Sequence, residues 1–352
     1  MEAFLKDSKL DHLCDALSST LSIDESLSLL EEGRPKLLAR LKELGVRKPP
    51  DLSAFAKAVA NGRRDLIGSG LPVVVCLYSA GMTIAGGRSL MKPMMDALAS
   101  AGFKDQLTLD HHNEAPYDAC KTFDEYSKAL HEALNAEPKF KGRPFVLVAH
   151  SHGSNGAYGL ARLLGPKARI LITIGRRPPT VELIGDVFGE PTCAGIAALP
   201  AQQFATMLGD AYTNAALVEA VTDKEESDWL PGFRESVAVA KAQYSSPCCL
   251  CDISDMAAYF GEGVRSDPPV VDLGCVLRTP ILGIAASAEE AKGETPEKMR
   301  KWAALTSAGF SLQEMEKCLH MELPRDARAI KAVVDAIKPF APADGRDVPA
   351  VS

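Results

Sequence analysis

No apolar run in this sequence approaches the roughly 20 residues that a membrane-crossing helix needs; the longest, near residues 73–77 and 170–174, have the length of strands. An excess of positive charge is missing too. There are 39 lysines and arginines against 46 aspartates and glutamates, for a net charge of −7 and a pI near 5.6, so nothing electrostatic favours nucleic acid. The opening stretch carries acids early and lacks a continuous apolar segment, so neither a secretory signal nor an acid-poor transit peptide is expected. The nine cysteines are odd in number and scattered, which predicts reduced thiols, a cytoplasmic setting and no disulfide framework. Cys248-Cys249-Leu250-Cys251 brings thiols close together, but no second Cys/His pair lies nearby and no metal is expected. Gly86-Gly87-Arg88 lacks the strand and the G-x-G-x-x-G order of a dinucleotide site, and there is no phosphate-loop lysine, so no cofactor is expected. Asp110-His111-His112 is expected on a loop surface.

With 352 residues, 46% hydrophobic and 24% charged, the chain is long enough for one large domain and a small appendage. Residues 1–66 read as a helical module: Leu10, Leu13, Cys14 and Leu17, then Leu37, Leu38, Leu41 and Leu44, recur at helical spacing. Gly45 stops a helix, Pro49-Pro50 interrupts, and Asp51 caps a last helix. Gly68-Ser69-Gly70 is a short linker. Over residues 71–340 strands alternate with helices: strands at 73–77, 106–109, 145–149, 169–174, 279–286 and 310–315, helices at 90–101, 123–134, 158–164 and 326–337, with another reaching Met299 and Trp302. Such a rhythm predicts an α/β fold, a mostly parallel sheet with helices on both faces and a site at the carboxyl ends of its strands. It fails between about 180 and 270, which predicts a helical cap inserted above that site.

Phe145-Val146-Leu147-Val148-Ala149-His150-Ser151-His152-Gly153 is a strand running into a turn with a serine at its apex and a helix beyond. This resembles the nucleophile elbow of the α/β-hydrolases, in which a strained turn projects the serine Oγ above the sheet and small neighbours let strand and helix approach. That fold takes its catalytic residues in the order serine, acid, histidine. Only His152 and His320 follow Ser151, and His152, one residue away, cannot accept its proton; His320, just after the strand at 310–315, is the expected general base. The acid belongs in the loop after the strand ending at Ala286, where Glu289 and Glu290 stand, with Asp272 as the fallback. Backbone N–H groups of His152 and Ala80, the latter in Tyr78-Ser79-Ala80-Gly81-Met82, are the expected oxyanion donors.

Several motifs together resemble the type II thioesterases of polyketide and nonribosomal peptide synthesis. Leu77-Tyr78-Ser79-Ala80-Gly81-Met82 stands where they carry a strand and Pro-His-Ala-Gly-Gly, and Ala149-His150-Ser151-His152-Gly153-Ser154 matches Gly-His-Ser-Met-Gly-Ala. Ala157-Tyr158-Gly159-Leu160-Ala161 follows. Ile174-Gly175-Arg176-Arg177-Pro178-Pro179 is similar to Ser-Gly-Arg-Arg-Ala-Pro, the most specific of these matches. Trp302, Leu305-Thr306, Phe310-Ser311-Leu312 and His320 complete a likeness over residues 72–338. Glu289-Glu290-Ala291 departs from the usual Asp-Pro, and residues 180–278 share little with the family. The resemblance implies hydrolysis of acyl thioesters through an acyl-serine, the acyl group arriving on the phosphopantetheine arm of an acyl carrier protein or as an acyl-CoA-like thioester. A carboxylic-ester hydrolase with the same residues, and a non-catalytic adaptor on a hydrolase scaffold, are the alternatives. In the first 66 residues, Phe4-Leu5, Leu10, Leu13, Leu17, Leu27, Leu30 and Leu41-Lys42-Glu43-Leu44-Gly45-Val46 resemble a sterile alpha motif, which implies a protein partner for that module.

Overall fold

The computed structural model describes residues 34–46, 48–56, 71–116, 119–179, 188–189, 192–212, 214–246, 276–287 and 294–341, together with Val59 and isolated positions among the first 33. The chain divides into two compact units, Met1–Ser69 and Gly70–Ser352. In the first, helix α1 (Arg34–Glu43) ends as the Val46 N–H turns back to the carbonyl of Leu41 at 3.0 Å. Leu10, Leu13, Leu17, Leu37, Leu41, Phe55 and Val59 bury their side chains in one cluster, the residues that helical spacing aligns.

The second unit is built on six parallel strands: β1 (Val73–Leu77), β2 (Gln106–Thr108), β3 (Phe145–His150), β4 (Ala168–Ile174), β5 (Ile281–Ala286) and β6 (Phe310–Met315), in the order β2-β1-β3-β4-β5-β6. β1 and β3 are unbroken apolar runs because both faces of the sheet are covered. Val73, Val75, Leu77, Leu147 and Ala149 point to one face, against α3 (Phe123–Asn135) and α4 (Gly153–Leu164). Val74, Cys76, Val146, Val148, Ile172 and Ile284 point to the other, against α2 (Ile84–Ser100) and, near the chain's end, Ala327–Ile337. Burial pushes the Cys76 thiol up to about 12; it is inert core.

Between β4 and β5 lies a cap of α5 (Cys193–Ala198), α6 (Ala201–Ala211), α7 (Ala215–Val221) and α8 (Pro231–Ser245), with a core of its own formed by Phe188, Phe204, Trp229, Val237 and Tyr244. Beyond the cap and β5 come α9 (Pro296–Arg300) and α10 (Ala327–Ile337). No described helix is long and apolar enough to cross a membrane.

Several boundaries differ from those the sequence predicts. Helix α2 starts at Ile84, not at 90, because the Thr83 hydroxyl accepts the Gly86 N–H at 3.2 Å and caps a turn that its glycines disguise. Helix α4 starts at Gly153, directly after the elbow, where 158 was expected. Strand β5 starts at Ile281, since Thr279 spends its buried hydroxyl on the Ala168 carbonyl at 3.1 Å. The sheet order reverses between β1, whose crossover leads outward to β2, and β3, which lies on β1's other side. At such a switch point the loops leave their strands in opposite directions and open a crevice. The segments that follow β1 and β3 flank it.

Candidate active site

Ser151 stands at that switch point, on the segment that leaves β3. It follows β3 with φ +52°, in the left-handed region that costs a side-chain-bearing residue about 1 kcal/mol or more. Two contacts hold it there. The Ser151 N–H donates to the carbonyl of Ile174 at the end of β4, at 2.8 Å, and α4 begins so close to β1 that a Cβ on Gly153 would sit 2.6 Å from the Leu77 carbonyl carbon. The glycine two residues past the serine is thus required by steric fit. Ser151 is 4% exposed.

His320 opens a short 3-10 turn, His320–Arg325, after β6. The structure brings it back to the elbow: its ring centroid lies 4.9 Å from that of His150 and 4.5 Å from that of Tyr212. Its Nδ1 edge faces Gly175, the residue after the Ile174 that anchors Ser151. Burial first, then the neighbouring His150 and the Arg176 guanidinium, hold its pKa well below the ordinary histidine range, so it is neutral at physiological pH.

The loop Tyr78–Met82 runs beneath the cap. The Gly81 N–H donates to Gln243 Oε1 of α8 at 2.7 Å, so that amide is engaged within the protein. His152 caps the start of α4, where the geometry of a helix start provides N–H groups without intrahelical acceptors. Its ring is stacked at 6.0 Å on His111 and meets Tyr244 edge-on at 5.6 Å. His111 corrects an expectation: it is not on a loop surface but fully buried, its Nε2–H donating to the Tyr78 carbonyl at 3.0 Å. Burial takes its pKa down to about 4. The cause is the turn after β2, which packs His111 on the Tyr78 ring, centroids 4.8 Å apart, in the segment that leaves β1.

Arg176 and Arg177, after β4, are both buried. Their shared partner is Glu294, more than 110 positions away in the chain and outside the motif. One Glu294 oxygen lies 3.3 Å from Arg176 Nη1, and the other accepts the Arg177 N–H at 2.5 Å. Arg176 Nη1 also donates to the hydroxyls of Tyr212 (2.9 Å) and Tyr244 (3.1 Å), and Tyr212 donates on to Glu294 at 3.3 Å. Cap helices α6 and α8 are thereby tied to the sheet beside His320. Burial opposes the Arg176 charge, yet Tyr244, Tyr212 and Glu294 push its pKa above the usual arginine value. Two adjacent arginines at the end of a buried strand imply a buried anion; that was the signal available for Glu294.

Glu289, Glu290 and Asp272 lie outside the described residues, as do Cys248, Cys249 and Cys251. Among the described residues, no group of three or more His, Cys, Asp or Glu is placed to hold a metal.

A parallel sheet in this order, a cap inserted after its fourth strand and a serine at a left-handed strand-to-helix apex define an α/β-hydrolase fold. No family model matches the chain, and no curated protein matches it. Solved structures do. The RedJ thioesterase of the prodiginine pathway in Streptomyces coelicolor is 19% identical, with 76% of this chain and 90% of that one aligned and a TM-score of 0.48. BorB, the type II thioesterase of the borrelidin cluster, is 20% identical over 77% and 91%, with a TM-score of 0.45. A lipase-esterase related protein of Clostridium acetobutylicum is 16% identical over 78% and 97%, with a TM-score of 0.48.

Proposed function

We propose that this chain is a serine hydrolase that cleaves acyl thioesters, releasing acyl groups from the phosphopantetheine arm of an acyl carrier protein or from an acyl-CoA-like thioester. The observation that carries this is Ser151 in a left-handed elbow at the switch point, with the neutral, buried His320 packed on the ring of His150, the residue just before Ser151. His320 takes the Ser151 proton as Oγ attacks the thioester carbonyl, and the N–H groups of Ala80 and His152 receive the oxyanion. The carbon–sulfur bond breaks, the proton passes from His320 to the departing thiolate, and His320 then activates water against the acyl-serine.

The acid is assigned to Glu289 or Glu290. His320 lies within the electrostatic reach of the Arg176 cation, which disfavours an imidazolium, and Glu294 is engaged by Arg176, Arg177 and Tyr212. A second carboxylate is therefore needed, and the stretch that leaves β5 carries both glutamates. Thioester preference is supported by the Gly175-Arg176-Arg177-Pro178-Pro179 motif, whose arginines tie the cap to the site. A cytoplasmic setting, and a protein partner for the N-terminal module, complete the proposal.

The test has two arms. A fluorophosphonate should label the wild-type chain at Ser151, located by peptide mass spectrometry, and kcat/KM should favour acyl-pantetheine thioesters over matched oxygen esters. Preference for the oxygen esters would make the chain a carboxylic-ester hydrolase; absence of label would make it a non-catalytic adaptor.

A further inference from the structure

Behind the elbow, two side chains make a short, fully protein-contained chain of hydrogen bonds that ends on the backbone of His320. Ser79, two residues beyond β1 and 4% exposed, places its Oγ 2.5 Å from Nδ1 of His150. His150, the last residue of β3 and fully buried, places Nε2 3.1 Å from the carbonyl oxygen of His320. We propose that Ser79 is a positioning residue for His320, acting through His150; the proposal rests on the assignment of His320 as the base.

The protons can be placed without ambiguity. A carbonyl oxygen only accepts, so Nε2 must carry the hydrogen that points at His320. Burial lowers the His150 pKa to about 4, so the ring holds one proton at neutral pH and Nδ1 is a bare acceptor. The hydroxyl hydrogen of Ser79 must then point at Nδ1. One arrangement satisfies all three groups: the His320 carbonyl selects it, and the Ser79 hydroxyl holds it by filling the buried Nδ1 lone pair. Without that donor Nδ1 is a buried acceptor with nothing to accept from, and a ring that turns to satisfy it gives up its hold on the His320 carbonyl.

The anchored carbonyl belongs to the residue that carries the base. On its other side the backbone is held as well, since the Leu319 N–H donates to Glu322 Oε2 at 3.0 Å. The His320 backbone is thus fixed before and after its side chain, which packs on the same His150 ring. Losing one of these holds shifts the imidazole relative to Ser151, and a displacement of about 1 Å at a reacting group is enough to lower a rate on the order of 10²-fold. Substrate affinity has no reason to change, because neither His150 nor the Ser79–Nδ1 bond contributes a group to an acyl chain.

The experiment uses the full chain with Ser79→Ala, Ser79→Thr and Ser79→Cys, the last close to serine in volume but a weak donor. Each is measured for kcat and KM on an acyl-pantetheine thioester across pH, for the rate of fluorophosphonate labelling at Ser151, and for cooperative unfolding. Ser79→Ala, or Ser79→Cys if the alanine variant does not unfold cooperatively, should lose roughly 10- to 100-fold in kcat and in labelling rate. KM should stay within about twofold, the acid limb of the pH profile should move, and Ser79→Thr should recover most of the loss. Wild-type kcat in the donor-deficient variants, a change confined to KM, or failure of threonine to restore the rate would overturn the proposal. So would a fluorophosphonate adduct on Ser79 itself, which would make Ser79 and His150 a nucleophile–base pair. A wild-type chain that takes no label anywhere refutes the hydrolase assignment first, and the role of Ser79 falls with it.

Discussion

The Nδ1 edge of His320 rests on the backbone of Gly175: a Cβ added at Gly175, whose φ is +62°, would meet that nitrogen at 2.8 Å. The imidazole is therefore seated on the loop whose preceding residue, Ile174, anchors the Ser151 amide. Gly175→Ala should displace the imidazole, lowering kcat about 10²-fold or more while strain at the positive φ costs on the order of 1 kcal/mol of stability. Steady-state kinetics beside urea unfolding checks both, and unchanged kcat would show that the base tolerates a shift.

Ser151 holds its place at the apex of the turn under backbone strain, so its two simplest replacements should differ. Ser151→Ala keeps the left-handed φ of +52° on a residue that has a Cβ; Ser151→Gly relieves it. Both should lose at least ~10⁴-fold in turnover, with the glycine variant the more stable by about 1 kcal/mol. Equal denaturation midpoints would remove the strain from the account.

Glu294 sits between two buried arginines. Glu294→Gln leaves Arg176 without its ion-pair partner and should destabilise by about 3–5 kcal/mol. Tyr244→Phe removes only one hydroxyl from the Arg176 group and should cost about 1–3 kcal/mol. Chemical denaturation ranks the two, and the reverse order would mean that the tyrosines, not the carboxylate, satisfy the guanidinium.

Four buried histidines make the protein acid-sensitive. The pKa values of His111 and His150 lie near 4, and those of His152 and His320 well below the unfolded 6.5. Below 6.5 the unfolded chain binds protons that the folded chain refuses, so stability falls as pH drops, by about 1.4 kcal/mol per pH unit for each such group. For His111 and His150 the loss stops growing below about 4. The acid limb of kcat/KM should likewise have its midpoint below 6.5, because His320 keeps its neutral form there. Denaturation midpoints that stay level from pH 6.5 to 4.5 would contradict the buried, neutral state.

Glu289→Gln and Glu290→Gln should behave differently, one losing several orders of magnitude in kcat and the other changing little, because a triad uses a single carboxylate. If both retain wild-type activity, Asp272→Asn is the next measurement.

Strands, helices and the serine turn were legible in the linear sequence because each is a local pattern. Val73–Leu77 and residues 145–149 are continuous apolar runs, and the elbow's small residues surround Ser151 within a few positions. The order of elements also implied parallel crossovers and a cap near 180–270, where α5 to α8 are found. Helix starts were less legible, since α2 opens with glycines and depends on a single threonine cap. What only the tertiary structure decided are the contacts between residues far apart in the chain: Ser79 with His150, His150 with the carbonyl of His320, Arg176 with Glu294, and the burial of His111. No periodicity encodes these, because a hydrogen bond or ion pair across 70 to 170 positions depends on which strand ends the sheet order makes neighbours. That order, set by packing both faces of one sheet, turns separate polar residues into a site.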